Sequence, residues 1–90
     1  MLITVVTFGD LTDILGKELT IELYEGGSIR NLLSILSEIS RSPEGQIGEF
    51  RISEEVGILV DGRGIQFPEG SGTILRDGAT VFLLLPFAGG

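Results

Sequence analysis

The feature that most constrains the fold is a change of hydrophobic period between two neighbouring segments. From Glu18 to Tyr24, apolar and polar residues alternate, which is typical of a half-buried strand. From Ile29 onward, apolar residues return at intervals of three and four, the spacing of an amphipathic helix. Ser28 is suited to cap that helix, and Pro43 prevents its continuation. A helix with one apolar stripe buries one face, so we expect this helix, near Ser28–Ser40, to lie on a sheet.

Further segments supply the strands of that sheet. The β-branched residues of 1–8 predict a first strand, which a polar connection with its own apolar anchors, 11–15, joins to the strand at 18–24 as a hairpin. We interpret 44–56 as irregular and expect short strands at 57–60 and near Ile65 and Phe67. The most apolar strand, 80–85, ends before Pro86. We expect it to be central and parallel to the first strand.

This order of elements predicts an α+β, two-layer fold with a mixed sheet of four or five strands and one main helix. The length of 90 residues suits a single domain, which we place at 1–86, followed by a flexible tail at 87–90. Hydrophobic residues make up 42% of the chain, enough for a buried core.

The composition argues against an enzyme. The chain has no cysteine and no histidine, so it lacks thiolate nucleophiles, the commonest metal ligand and the usual base near neutral pH. Acidic pairs occur at Asp10 with Asp13 and at Glu54 with Glu55, and we interpret both as solvated loop charge. The glycines before Ser28 lack the lysine and spacing of a phosphate-binding loop. We therefore expect no metal site and no bound cofactor.

The net charge of −7 restricts the partners. An acidic domain repels nucleic-acid phosphates and anionic membrane surfaces, whereas basic protein surfaces attract it. The longest apolar run, 81–88, is far shorter than a membrane span, and residues 1–6 lack the pattern of a signal peptide. We expect a cytoplasmic protein that binds neither nucleic acid nor membrane.

Several pieces of the sequence, in order along the whole chain, resemble the β-grasp (ubiquitin-like) sulfur carriers of the MoaD/ThiS family, above all the MoaD-like small subunit of molybdopterin synthase. They are Phe8-Gly9-Asp10-Leu11, Gly27-Ser28-Ile29-Arg30-Asn31-Leu32-Leu33, Leu75-Arg76-Asp77-Gly78-Ala79-Thr80-Val81 and Pro86-Phe87-Ala88-Gly89-Gly90. The chain departs from the family where Ala79 replaces an acidic residue, where Leu85 replaces a proline, and in the long segment 63–72.

The resemblance implies that Gly90 is the reactive residue. An E1-like adenylating enzyme (MoaB/MoeB-like) would activate its carboxylate with ATP and Mg, and a sulfur donor would convert it to a thiocarboxylate. Gly89 would leave the approach to that carboxylate free of side-chain bulk. The molybdopterin synthase large subunit (MoaE-like) would then use the sulfur for molybdenum or tungsten cofactor biosynthesis.

Two alternatives stay open at this point. The same activation would serve a ubiquitin-like modifier that forms isopeptide bonds through Gly90. The chain could instead be a β-grasp interaction module with an unreactive tail. As a carrier or a modifier the chain is a substrate, and the partner enzyme uses the ATP; in no case is the chain expected to be an enzyme itself.

The final strand also predicts a docking face, because it is apolar on both of its sides. By resemblance to ubiquitin-like folds, Val81, Leu83 and Leu85 face the helix, so Phe82 and Leu84 face outward. Val6 and Phe8 of the first strand would lie beside them. The predicted partner-binding residues are Phe8, Phe82, Leu84, Pro86, Phe87 and Ala88. The alternative is that segment 63–72 covers this face.

Overall fold

The structure, a computed structural model, describes residues 1–85. The strands are β1 (Leu2–Thr7), β2 (Glu18–Glu22), β3 (Gln46–Ile47), β4 (Phe50–Arg51), β5 (Gly57–Val60), β6 (Arg63–Ile65) and β7 (Thr80–Leu84). The helices are α1 (Leu11–Leu15), α2 (Ile29–Ile39) and α3 (Ile52–Glu55), and a 3-10 turn spans Glu69–Gly72.

One mixed five-stranded sheet organises the described residues, in the order β2-β1-β7-β5-β6. Strands β1 and β2 form the predicted antiparallel hairpin, and β7 lies at the centre, parallel to β1 and antiparallel to β5. The structure therefore confirms the predicted two-layer α+β fold, the central position of the last strand and its direction.

The main helix begins where the sequence predicts. The hydroxyl of Ser28 accepts a hydrogen bond from the Asn31 backbone N–H at 3.4 Å, and the Asn31 side chain accepts one from the Ser28 N–H at 2.8 Å. This reciprocal arrangement is a capping box. It fixes the start of α2 and orients its apolar stripe towards the sheet.

The core lies between α2 and one face of the sheet. Its centre consists of side chains with no exposed surface, which come from the helix (Ile29, Leu32, Leu36) and from the two central strands (Ile3, Val5, Val81, Leu83). Leu85 is partly buried and packs against this cluster, as predicted. The helix therefore covers one face of the sheet.

Two connections contain more structure than the sequence predicts. Segment 11–15 forms the short helix α1, because the fully buried Leu11 anchors it to the core. Segment 44–56 contains the β3–β4 hairpin and α3, where Ile47 and Ile52 are buried. Tertiary burial stabilises these elements, which are too short to show a hydrophobic period.

Within segment 63–72, the residues that follow β6 lie on the helix side of the sheet. The guanidinium of Arg30 donates to the buried hydroxyl of Ser71 at 3.0 Å, and Phe67 packs against the core. The predicted strand near Ile65 and Phe67 is present as β6, but it ends at Ile65. The alternative in which this segment covers the opposite face is therefore wrong.

Candidate functional site

The uncovered face of the sheet carries the predicted apolar side chains. Along β7 the fully buried Val81 and Leu83 alternate with Phe82 and Leu84, which are half-buried and lie outside the core cluster. Successive side chains of a strand point to opposite faces, so Phe82 and Leu84 lie on the face away from α2. We call this side of the sheet the open face.

The strand register brings further apolar residues to the same place. Phe82 pairs with Val6 of β1 on one side and with Leu59 of β5 on the other. Phe8, which is 48% exposed, stacks on Phe82 with ring centroids 6.0 Å apart and an angle of 22° between the rings. We call this group the tail-end patch; it consists of Val6, Phe8, Leu59, Phe82 and Leu84.

A glycine shapes one side of the tail-end patch. Gly57 is the register partner of Leu84, and a Cβ atom at this glycine would lie 3.3 Å from Cδ1 of Leu84. That distance is shorter than most contacts of this kind. Any side chain at position 57 would therefore crowd Leu84, and glycine leaves room for this leucine.

The composition of the open face changes along the strands. Next to the tail-end patch, Thr4 pairs with Thr20 on β2 and with Thr80 on β7, which places three hydroxyl side chains in one row. Beyond this row, Leu2 and Tyr24 are exposed at the far end of β1 and β2. On β7, the apolar side chains of the open face are therefore confined to the C-terminal end of the strand.

A carboxylate lies at one margin of the patch. Glu18 of β2 is exposed and pairs with Val6 in the β1–β2 register. An apolar centre with a charged margin is the usual anatomy of a protein interface. Negative charge at the margin favours a partner with a basic surface, in line with the net charge of the whole chain.

No group of three Asp or Glu side chains among residues 1–85 is arranged to hold a metal ion. Every buried side-chain nitrogen or oxygen there has a hydrogen-bond partner. None of the helices between residues 1 and 85 has the length and apolar character needed to cross a bilayer.

The structure brings together the predicted partner-binding residues Phe8, Phe82 and Leu84. The other predicted site residues, Pro86, Phe87, Ala88, Gly89 and Gly90, lie outside the described residues, so their roles stay predictions. The domain boundary placed after residue 86 also stays a prediction.

The sequence prediction missed Leu59 and Gly57. Leu59 adjoins the buried Ile58 in a strand of four residues, which is too short for its alternation to show which side faces out. The position of Gly57 beside Leu84 depends on the register between β5 and β7, which the sequence pattern does not reveal.

Comparison with known proteins gives the family of the chain and further examples of its fold. The model of the ThiS family matches residues 5–90. No curated protein matches the sequence. Among solved structures, the small archaeal modifier protein SAMP1 from Haloferax volcanii shares 15% identity over 100% of both chains, with a TM-score of 0.77.

Two further solved structures have the same fold. Small archaeal modifier protein 1 from Methanosarcina acetivorans shares 23% identity over 99% of this chain and 96% of its own, with a TM-score of 0.75. A chain in the complex of subunits 1 and 2 of the molybdopterin-converting factor from Helicobacter pylori 26695 shares 24% identity over 100% of both chains, with a TM-score of 0.66.

Proposed function

Because the chain belongs to the ThiS family, whose model it matches from residue 5 to residue 90, we propose that it is a sulfur carrier protein for molybdopterin biosynthesis. In this proposal the Gly90 carboxylate is the reactive group and the β-grasp body is the handle that partner enzymes hold. The observation that carries the proposal is the position of the tail-end patch, on the strand that leads directly to residues 86–90.

The proposed chemistry takes place in two substitutions, both performed by a partner. A Gly90 carboxylate oxygen attacks the α-phosphorus of ATP, and pyrophosphate leaves. A sulfur nucleophile such as hydrosulfide then attacks the acyl carbon, and AMP leaves with the bonding electrons of the broken C–O bond. The product is a thiocarboxylate on Gly90. The chain itself supplies the carboxylate, while the partner supplies ATP and Mg.

The residue types of the tail suit this chemistry. Glycines at 89 and 90 add no side chain close to the acyl carbon, so a narrow active-site channel has room for the attacking sulfur. The five residues 86–90 span up to roughly 15 Å when extended, which is sufficient to reach a buried active site from a docked body.

We propose two partners that share the tail-end patch. An E1-like adenylating enzyme would hold the body during activation, and the large subunit of molybdopterin synthase would hold it during sulfur transfer. The second partner is supported by the Helicobacter pylori neighbour, a complex of subunits 1 and 2 of the molybdopterin-converting factor. Burial of Phe82 or Leu84 at such an interface would contribute roughly 1.5–3 kcal/mol for each side chain.

A second candidate function is supported by the similarity to small archaeal modifier proteins. In that case the Gly90 acyl group would pass to lysine amines of target proteins as an isopeptide bond. Both functions begin with the same adenylation and the same docked body. They differ in the nucleophile that replaces AMP, which is sulfur in one case and an amine in the other.

The experiment that tests the proposal follows the fate of Gly90. The full chain is incubated with an adenylating enzyme of its organism, ATP, Mg and sulfide, and the C-terminal peptide is measured by mass spectrometry. We expect a mass increase that equals the replacement of one oxygen by sulfur. A variant without Gly90 is the matched control and should show no change.

The two candidate functions are separated in the next step. Thiocarboxylated chain is mixed with the synthase large subunit and a precursor pterin, and in parallel with cell extract and ATP. Sulfur in the pterin product supports the carrier, whereas Gly90 linked to lysines of target proteins supports the modifier. No thiocarboxylate in the first reaction, or a thiocarboxylate that neither passes sulfur to the pterin nor becomes linked to lysines, would refute both.

A further inference from the structure

A second surface of the molecule has a different chemistry from the open face. A groove of about 570 Å³ runs between edge strand β6 and the segment before the 76–78 turn. Two of the chain's six cationic residues, Arg63 and Arg76, line it together with Asp61, Ile65 and Ile74. We call it the arginine groove.

The two arginines form no ion pair with an acidic side chain among residues 1–85. Between residues 1 and 85 the structure contains one ion pair, which joins Arg51 to Glu54 and lies elsewhere. The nearby carboxylates have other partners, since Asp61 accepts from the Thr80 N–H at 3.0 Å and Asp77 accepts from the Leu2 N–H at 2.7 Å. Among the side chains that line the groove, two guanidinium groups face one carboxylate, which is an excess of positive charge in a chain whose net charge is −7.

The groove also exposes apolar surface. Ile74 is 60% exposed, and Ile65 is partly buried beside it. Strand β6 is an edge of the five-stranded sheet, so its outer side has no strand partner among the described residues. An edge strand offers backbone N–H and C=O groups to an extended segment. A ligand that only carried negative charge would leave both the apolar surface and this edge unused.

The arginine groove is separate from the tail-end patch. Asp61 donates its N–H to the Thr80 carbonyl at 2.9 Å, so the β5–β6 turn lies at the start of β7. The tail leaves from the other end of that strand, about 13 Å away at the usual rise per residue. A partner in the groove would therefore leave the tail-end patch accessible to an enzyme.

From these observations we infer that the arginine groove binds an extended segment of a partner protein in which acidic and apolar side chains alternate. Carboxylates would meet Arg63 and Arg76, apolar side chains would cover Ile65 and Ile74, and the segment's backbone would add to the edge of β6. The inference goes beyond the proposed function, because it gives the chain a contact that involves neither the tail nor the open face.

The test uses the isotope-labelled full chain and a short synthetic peptide, capped at both ends, that alternates glutamate and leucine. Backbone amide shifts are recorded during titration. We expect the largest changes at residues 63–65 and 73–76. The Arg63→Gln and Arg76→Gln variants should each bind about tenfold more weakly, the usual weight of a charge-assisted hydrogen bond. Arg41→Gln, which removes an exposed arginine outside the groove, should bind like the unchanged chain.

Further measurements distinguish a peptide-binding groove from a simple anion site and from binding elsewhere. A peptide with lysine in place of glutamate should not bind, and Ile74→Ser should weaken binding of the glutamate peptide several-fold. The inference is overturned if inorganic phosphate produces the same shifts at the same concentration, since the groove is then a simple anion site. It is equally overturned if the shifts map to the open face, if Arg41→Gln has the same effect, or if the peptide does not bind.

Discussion

The two faces of β7 both carry apolar side chains, but their surroundings differ. Val81 and Leu83 have no exposed surface, because α2 covers them. Phe82 and Leu84 alternate with them along the same strand, yet they are only half-buried, since no helix or strand of residues 1–85 covers them. We propose that β7, which is apolar on both sides in this two-layer fold, uses one side for the core and the other for a partner.

Because of this difference, we expect the loss of a single β7 side chain to affect mainly stability on one face and mainly binding on the other. The helix-facing side chains have contacts that exist in the isolated protein, so their loss is measured by unfolding. In our proposal the contacts of the outward side chains are completed only when a partner docks, so their loss is measured by binding. An exposed apolar cluster with a charged margin is the surface expected for the second role.

The largest expected effect comes from truncating the covered side. Leu83→Ala would leave a cavity between α2 and the sheet and should lower the free energy of unfolding by about 2–5 kcal/mol. The adjacent Leu84→Ala is the matched control and should cost about 1 kcal/mol. Chemical denaturation of both variants gives the comparison. Equal losses would show that the two faces are buried alike.

The next effect concerns binding to the large subunit of molybdopterin synthase. Phe82→Ser and Leu84→Ser should each weaken binding about ten- to hundredfold, since each removes roughly 1.5–3 kcal/mol of burial at the docked interface. Isothermal titration calorimetry measures the affinity, and circular dichroism checks that each variant is folded. Undiminished affinity in both variants would exclude the tail-end patch as the docking surface.

A smaller effect tests whether α2 contributes to stability alone and leaves binding at the open face unchanged. Ser28→Ala removes the hydroxyl that accepts from Asn31, so α2 should be less stable by about 1 kcal/mol. Partner affinity should not change, because the capping box lies on the covered side of the sheet. A drop in affinity measured well below the melting temperature would mean that the two faces are coupled.

The smallest effect defines the extent of the docking surface. Thr4→Val replaces a hydroxyl by a methyl group in the threonine row, beside Thr20 and Thr80. We expect the stability to change by less than about 0.5 kcal/mol and the affinity to stay the same, since this row lies outside the tail-end patch. A clear gain in affinity would extend the docking surface to the whole open face.

Most of the fold could be predicted from the sequence because the long elements have clear hydrophobic periods. The alternation at 18–24 and the helical spacing from Ile29 predicted β2 and α2, and the apolar final strand predicted its own central position. The short elements could not be predicted in this way. The β3–β4 hairpin has strands of two residues, which hold no period, and its stability depends on burial of Ile47 and on a hydrogen bond from Ser37 to Gln46.

The candidate site was predictable to the extent that strand alternation determines it. Phe8, Phe82 and Leu84 followed from parity along β1 and β7, whereas Leu59 and Gly57 required the register of β5. The arginine groove was not predictable at all. Arg63 and Arg76 are distant in sequence, and only the folded connection between β6 and β7 places them along one groove.

The central claim is that an enzyme holds the tail-end patch while it modifies Gly90. Its most direct test is the rate of thiocarboxylate formation, followed by intact mass with the adenylating enzyme at a concentration below saturation. Phe82→Ser should react about ten- to hundredfold more slowly than the unchanged chain, while Thr80→Ser, on the same face of the same strand, should react at the unchanged rate. Equal rates for Phe82→Ser and the unchanged chain, or no thiocarboxylate on the unchanged chain, would contradict the claim.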